Sequence, residues 1–285
     1  MDILIIGGTR FVGPHIIRVL LSAGHVLTMF NRGVHKSSVP DHVRHIEGNR
    51  ENDLSRVQGH FDLVIDMCAY QGEHVEKLYS EVSFNKYILM SSAAVYAESD
   101  VFPLIEDRSP MGPCSMWGEY NKGKVAAEQV VVSRDVSYAI IRPVYILGEN
   151  NSHDRENFIY SRIKKRIPIR IPGNEKSIAQ FVFVQDVARM IGLMVEQDLT
   201  GVFNCSGDEY VTLEGLVKSM GRIVGIEPIF DFSLKGETSL DEKEFPFGSG
   251  HFFCSNEKIK KYGMEFTPLI TGLEHDYQSY YASRS

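Results

Sequence analysis

The stretch Ile3-Leu4-Ile5-Ile6-Gly7-Gly8-Thr9-Arg10-Phe11-Val12-Gly13 decides the fold. Its apolar opening suits a strand buried on both faces, as in a parallel sheet covered by helices. Glycines follow where the backbone has to turn tightly. Val12, Ile16, Val19, Leu20 and Ala23 then recur at helical spacing, up to a stop at Gly24. A strand, a glycine turn and a helix N-terminus make an anion cradle, because the backbone can approach a pyrophosphate and the helix end supplies N–H groups and a favourable dipole. The flanking strand and helix make this glycine run a prediction of dinucleotide binding, with Gly7, Gly8, Thr9, Arg10, Phe11, Val12 and Gly13 around the pyrophosphate.

The same rhythm continues outward. Apolar runs predict strands at 26–30, 43–46, 63–68, 87–90 and 138–141, alternating with helical patterns. That order implies right-handed crossovers and an α/β, doubly wound parallel sheet of Rossmann type over residues 1–148. Residues 149–285 read mainly as a smaller substrate-binding lobe, with segments near 181–206 returning to the sheet. Helices are expected there at 158–165, 187–196 and 213–224, strands at 181–184 and 202–205, and a surface loop at 235–250.

Composition narrows the function classes. The chain has 285 residues, a net charge of −7, 43% hydrophobic and 24% charged residues, so a globular protein without a broad basic footprint for nucleic acid is expected. The run from Arg162 to Arg170 is the one local basic stretch, read as a solvated helix face. Four scattered cysteines and ten histidines without ligand spacing predict reduced thiols and no metal site. No stretch is long enough to span a membrane, and the chain enters a strand at once, so a cytoplasmic setting is expected.

Cofactor choice rests on the end of the second strand. An acidic residue there would bond both ribose hydroxyls and repel a 2′-phosphate. Asn31 stands there instead, followed by Arg32, and Arg10 lies in the glycine loop. Two guanidinium groups and a neutral amide tilt the expectation from NAD toward NADP. Asn49, Cys68 and Ala69, at the ends of the third and fourth strands, are expected to flank the adenine side and the cofactor bridge.

Tyr120-Asn121-Lys122-Gly123-Lys124 places Tyr120 and Lys124 four residues apart, on one helix face. An ammonium beside a phenol favours the phenolate, so a lowered Tyr120 pKa and an acid/base role are expected. Met90-Ser91-Ser92-Ala93 ends the fifth strand, where doubly wound sheets build their sites. Either serine hydroxyl could orient a substrate oxygen.

GGTRFVG, SSAAVY, YNKGK and IIRPVYILG together resemble the extended short-chain dehydrogenase/reductases, the NAD(P)-dependent epimerase/dehydratase family, over nearly the whole chain. The resemblance implies Ser92, Tyr120 and Lys124 as catalytic residues. Lys124 would also bond the nicotinamide ribose, and Pro143 joins the cofactor contacts. Phe203-Asn204-Cys205-Ser206-Gly207, Tyr210-Val211-Thr212, Phe245-Pro246-Phe247 and His251-Phe252-Phe253 resemble the atypical branch holding the plastid stem-loop RNA-binding proteins and their bacterial relatives. That branch implies RNA as an alternative partner, although its plant members lack the complete YxxxK tyrosine that this chain has.

Departures from the family pattern shape the remaining expectations. Arg10 replaces the middle glycine of the loop. The connection from Tyr70 to Asn85 leaves room for one helix, without the insertion that carries a nicotinamide-side asparagine and a dimer bundle. Ala179 stands where sugar-nucleotide epimerases carry a diphosphate-clamping arginine, so binding of UDP-hexoses in the usual manner is not expected. Ala93 and Ala94 replace the Asp-Glu pair of 4,6-dehydratases. Sugar epimerisation and carbonyl/alcohol oxidoreduction of a small substrate, such as a sugar derivative, remain. The alternative is an RNA-binding or regulatory protein on a cofactor-binding fold.

Overall fold

The computed structural model describes residues 1–34, 40–172, 177–231 and 245–284. Seven parallel strands form the main sheet: β1 (Asp2–Ile6), β2 (Val26–Asn31), β3 (Arg44–Glu47), β4 (His60–Asp66), β5 (Ser83–Met90), β6 (Ser137–Pro143) and, from late in the chain, β10 (Gly201–Cys205). Their order is β10-β6-β5-β4-β1-β2-β3. The direction of winding reverses between β1 and β4, and there the carboxyl ends finish level, with Ile6 beside both Phe30 of β2 and Asp66 of β4. A crevice for ligands opens at such a reversal.

Four helices sandwich the sheet. Helices α1 (Val12–Ser22) and α5 (Val184–Glu196) cover one face through Ile16, Leu20, Val187 and Ile191; α2 (Gly72–Glu81) and α3 (Gly118–Val132) cover the other through Val75, Leu78, Ala127 and Val131. Helices α1 and α5 pack tightly: a Cβ added at Gly192 would lie 2.6 Å from Val19 Cγ1.

The fourth strand differs from its expected bounds. It begins at His60 and ends at Asp66 rather than covering 63–68. The Asp66 carboxylate accepts the Cys68 backbone N–H at 3.0 Å, which folds the chain out of the sheet and leaves Cys68 and Ala69 beyond the strand.

The remaining elements build the lobe: β7 (Tyr145–Leu147), α4 (Arg155–Lys164), β8 (Ile169–Arg170), β9 (Ile178–Phe183), β11 (Tyr210–Thr212), α6 (Leu213–Val224), β12 (Phe230–Asp231), α7 (Glu257–Lys260), α8 (Leu269–Asp276) and a π-helical turn at Tyr277–Tyr281. Strands β11, β9 and β7 form one small sheet, and β12 with β8 another. Helix α6 agrees with its expected range; it is capped by Thr212, whose side chain accepts from Gly215 N, and closed by Gly225 in the left-handed region. The terminal turn is tied back, with the Tyr281 hydroxyl donating to the Gly148 carbonyl at 2.7 Å. Of the expected loop at 235–250, residues 235–244 lie outside the described residues. Among the described residues no helix is long and apolar enough to cross a membrane.

Candidate dinucleotide and active site

The glycine turn is sterically committed to its shape. Gly7 and Gly8 have φ of +90° and +82°, and a Cβ at Gly13 would sit 2.1 Å from the Gly8 carbonyl oxygen. The backbone therefore closes on itself just before α1, as an anion cradle at a helix N-terminus requires. Beside it a cavity of about 340 Å³ opens over the carboxyl ends of β1, β2 and β4. Gly7, Thr9, Arg10, Asn31, Arg32, Asn49 and Cys68, all singled out in the sequence, line it. Gly8, Val12 and Gly13 are buried behind this lining, and Phe11 packs against the apolar core.

Residues that the sequence did not single out also line the cavity, and Arg50 dominates them. Its Nη1 and Nη2 each donate to one oxygen of Asp66 at 2.9 Å, and Nη2 also reaches the His74 carbonyl at 2.9 Å. The Tyr87 hydroxyl donates to the same carboxylate at 2.9 Å. Burial alone would raise the Asp66 pKa, but the Arg50 guanidinium and these hydrogen bonds outweigh it and hold the carboxyl below its ordinary value. Burial pushes the neighbouring Cys68 thiol up to about 11, so it is a neutral wall residue. Two buried donors, Asn31 Nδ2 and Arg50 Nε, have no partner among the described residues. Asn31 is otherwise satisfied, its Oδ1 accepting from Gly33 N at 2.9 Å and lying 3.0 Å from His45 Nε2. A Gly-lined cradle with orphan donors in the adjoining wall fits a polar, phosphate-bearing nucleotide.

Further along the crevice, β5 and α3 bring Ser92, Tyr120 and Lys124 together. Ser92 caps a single 3-10 turn, its hydroxyl accepting from Ala94 N at 3.1 Å, and it lies near enough to Tyr120 to favour the phenolate. Ser91 is buried and donates to Glu128, which pairs with Arg142, so it faces the interior. Lys124 is fully desolvated, donates to the Ala69 carbonyl at 2.9 Å and the Met90 carbonyl at 2.7 Å, and has its pKa pulled down to about 8, chiefly by burial. Its Nζ lies 6.0 Å from the Tyr120 ring centroid.

The expectation of a lowered Tyr120 pKa is corrected. Although 42% of the residue surface is exposed, desolvation raises the Tyr120 pKa, opposed by the neighbouring Ser92 hydroxyl and, more weakly, by the charge of Arg155. Lys124 spends its hydrogen bonds on the two carbonyls instead of the phenol. Two other expected cofactor contacts stand back from the cavity: Ala69 is buried and offers its carbonyl to Lys124, and Pro143 is buried at the end of β6, beside Cys205 of β10. Among the described residues no His, Cys, Asp or Glu group is gathered as metal ligands.

The lobe side of the crevice is aromatic. Tyr145 contacts Trp117, Phe181, Phe247 and Phe252 at centroid separations of 5.7, 5.8, 5.0 and 5.0 Å. Ala179 is buried and bridges to Phe252, so no cation stands at this position.

A model of the NAD dependent epimerase/dehydratase family matches residues 74–206. The chain is 34% identical to the chloroplast stem-loop binding protein of 41 kDa b of Arabidopsis thaliana, over 96% of this chain and 78% of that protein. The chain belongs to the NAD dependent epimerase/dehydratase family. It is also 32% identical to the UDP-glucose 4-epimerase of Corynebacterium glutamicum, over 79% of this chain and 81% of that protein. In fold it is similar to the NAD complex of Thermus thermophilus UDP-glucose 4-epimerase, with TM-score 0.79, 18% identity and 98% of each chain covered.

Membership in the epimerase/dehydratase family gives the departures physical meaning. Arg10, at the family's middle glycine, is exposed and lines the cavity beside the glycine turn, so the substitution adds a cation without filling the cradle. The connection between β4 and β5 holds α2 alone. The sequence does not announce Arg50, because it lies in the loop after β3 while its partner Asp66 ends β4, and no local pattern marks the pair.

Proposed function

We propose that the chain binds a nicotinamide dinucleotide and acts as an NAD(P)-dependent sugar epimerase or carbonyl/alcohol oxidoreductase on a small hydroxylated substrate. The convergence of Ser92, Tyr120 and Lys124 at the carboxyl end of β5 carries this reading, with Lys124 bonded to the Met90 carbonyl and 6.0 Å from the Tyr120 ring centroid. Tyr120 moves the proton of the substrate hydroxyl, and Ser92 orients that oxygen. Lys124 has one N–H donor uncommitted among the described residues and holds the nicotinamide ribose with it. The Gly7–Gly13 cradle holds the pyrophosphate, while Asn31, Asn49 and Arg50 surround the adenosine. A bound nicotinamide would supply hydride exchange at the substrate carbon. NADP is preferred over NAD in this proposal, because Arg10 and Arg32 line the cavity. The carboxylates near them, Glu51 in the lining and Glu47 against Gly33, temper that preference. Four free cysteines accord with a cytoplasmic setting.

Calorimetry with NAD, NADH, NADP and NADPH tests the proposal: micromolar binding of at least one is expected, and no binding at millimolar concentration would sink it. A second reading, RNA binding, draws on the likeness to a stem-loop binding protein. The basic run offers it little. Arg162 stacks on Phe158, Lys164 donates to the Ala282 carbonyl and Arg170 pairs with Asp231, leaving Lys165 and Arg166 exposed. RNA affinity that falls steeply with salt and vanishes when Lys164, Lys165 and Arg166 are neutralised would favour this reading.

A further inference from the structure

Arg155 opens α4 on the lobe side of the crevice. Its Nε donates to the Pro246 carbonyl at 3.0 Å, and its guanidinium carbon lies 5.4 Å from the Tyr145 ring centroid and 5.6 Å from that of Phe247. The Tyr145 ring is itself fixed, since its hydroxyl accepts from Gly248 N at 3.0 Å and its edge meets Trp117, which precedes α3 and Tyr120. The planar fork is therefore oriented by two rings and one carbonyl. Among the described residues it forms no ion pair, whereas the buried arginines Arg50 and Arg142 are matched to Asp66 and Glu128. A half-buried guanidinium held in place without a carboxylate has a desolvation cost that an oxyanion ligand offsets. The ring of Tyr145 under the guanidinium meets Trp117, the residue before α3, so Arg155 lies one aromatic layer from the helix that carries the candidate acid/base.

Building on the proposed active site, we propose that Arg155 anchors an anionic oxyacid group of the substrate, a carboxylate or a phosphate monoester. A neutral sugar leaves the fork unmatched. Ala179, buried and bridged to Phe252, offers no charge for a nucleotide diphosphate. The substrate class is thus a small sugar acid or sugar phosphate whose reacting hydroxyl lies at Tyr120 while its anion lies at Arg155.

The test titrates the full-length protein, saturated with whichever dinucleotide it binds, with glucose, glucuronate and glucose 6-phosphate. At least one anionic probe is expected to bind roughly tenfold to a hundredfold more tightly than glucose, and the two arms distinguish carboxylate from phosphate. Arg155→Gln should abolish that preference with dinucleotide affinity unchanged. Arg155→Lys should keep a weaker preference, since an ammonium retains the charge but not the fork. Equal or undetectable binding of all three probes overturns the assignment even if Arg155→Gln does not fold, and so does a preference that survives in that variant. Failure of the wild type to bind any dinucleotide overturns the underlying reading of the crevice, and is measured separately.

Discussion

At the nucleotide end of the crevice the wall is polar and built from strand ends: Asn31 closes β2, Asn49 and Arg50 follow β3, and Asp66 closes β4. At the substrate end it is aromatic and assembled from β7, β9 and the segment before α7, with Arg155 as its charged member. The first surface is suited to a ligand whose charge and hydrogen bonds are spread along its length. The second suits a compact ligand held by packing and one ionic contact. The proposed dinucleotide and the proposed small anionic sugar derivative would divide between them in that way.

The nucleotide end should break most severely through Asp66. Asp66→Ala leaves the Arg50 guanidinium buried without its partner, and a loss of about 3–5 kcal/mol in urea unfolding is expected. A loss below about 1 kcal/mol would mean that water replaces the carboxylate and that the wall is softer than described. At the junction of the two ends, Tyr120→Phe should lower turnover at least about a hundredfold while leaving dinucleotide affinity nearly unchanged. An active Tyr120→Phe variant would remove the tyrosine from the mechanism.

Arg32→Ala probes the outer rim of the cavity. A selective loss of roughly tenfold in NADP affinity, with NAD unaffected, is expected from removing one exposed charge-assisted contact. Equal losses for both cofactors would assign Arg32 to the shared part of the dinucleotide. The smallest effect concerns the seam between the ends. Glu156 is buried beneath the Gly148 N–H, at 2.6 Å, and burial lifts its pKa from 4.5 to about 7. The folded state therefore binds this proton more tightly than the unfolded chain, and the resulting stability is present below pH 4.5 and is lost as pH rises toward about 7. Asp66 acts oppositely and in a lower window, losing its contribution as pH falls below its ordinary value of 3.8. Glu156→Gln should flatten the decline between those pH values in thermal melts. An unchanged slope would place its origin elsewhere.

The sequence announced what local geometry controls. The glycine turn, the strand rhythm and the Tyr120–Lys124 spacing each depend on a few consecutive residues, and the sheet follows from them. Cys68 was placed inside a strand because apolar character continues past Asp66, whereas the Asp66 side chain bends the backbone there. The Tyr120 pKa was expected to fall because spacing shows that Lys124 shares its helix face, but not that two carbonyls hold the ammonium. Arg50 and Arg155 were invisible for the same reason: each acquires its meaning from partners on other elements.

The late arrival of β10 bears on how the polypeptide is made. Strand β6 finds its outer neighbour only when residues 201–205 have left the ribosome, and the apolar face of α1 waits for α5 at 184–196. Until then a nascent chain carries an open parallel edge and an uncovered helix stripe, both of which invite pairing with other chains. Messages truncated before codon 206 should therefore yield aggregates that chaperones retain, rather than a smaller nucleotide-binding protein.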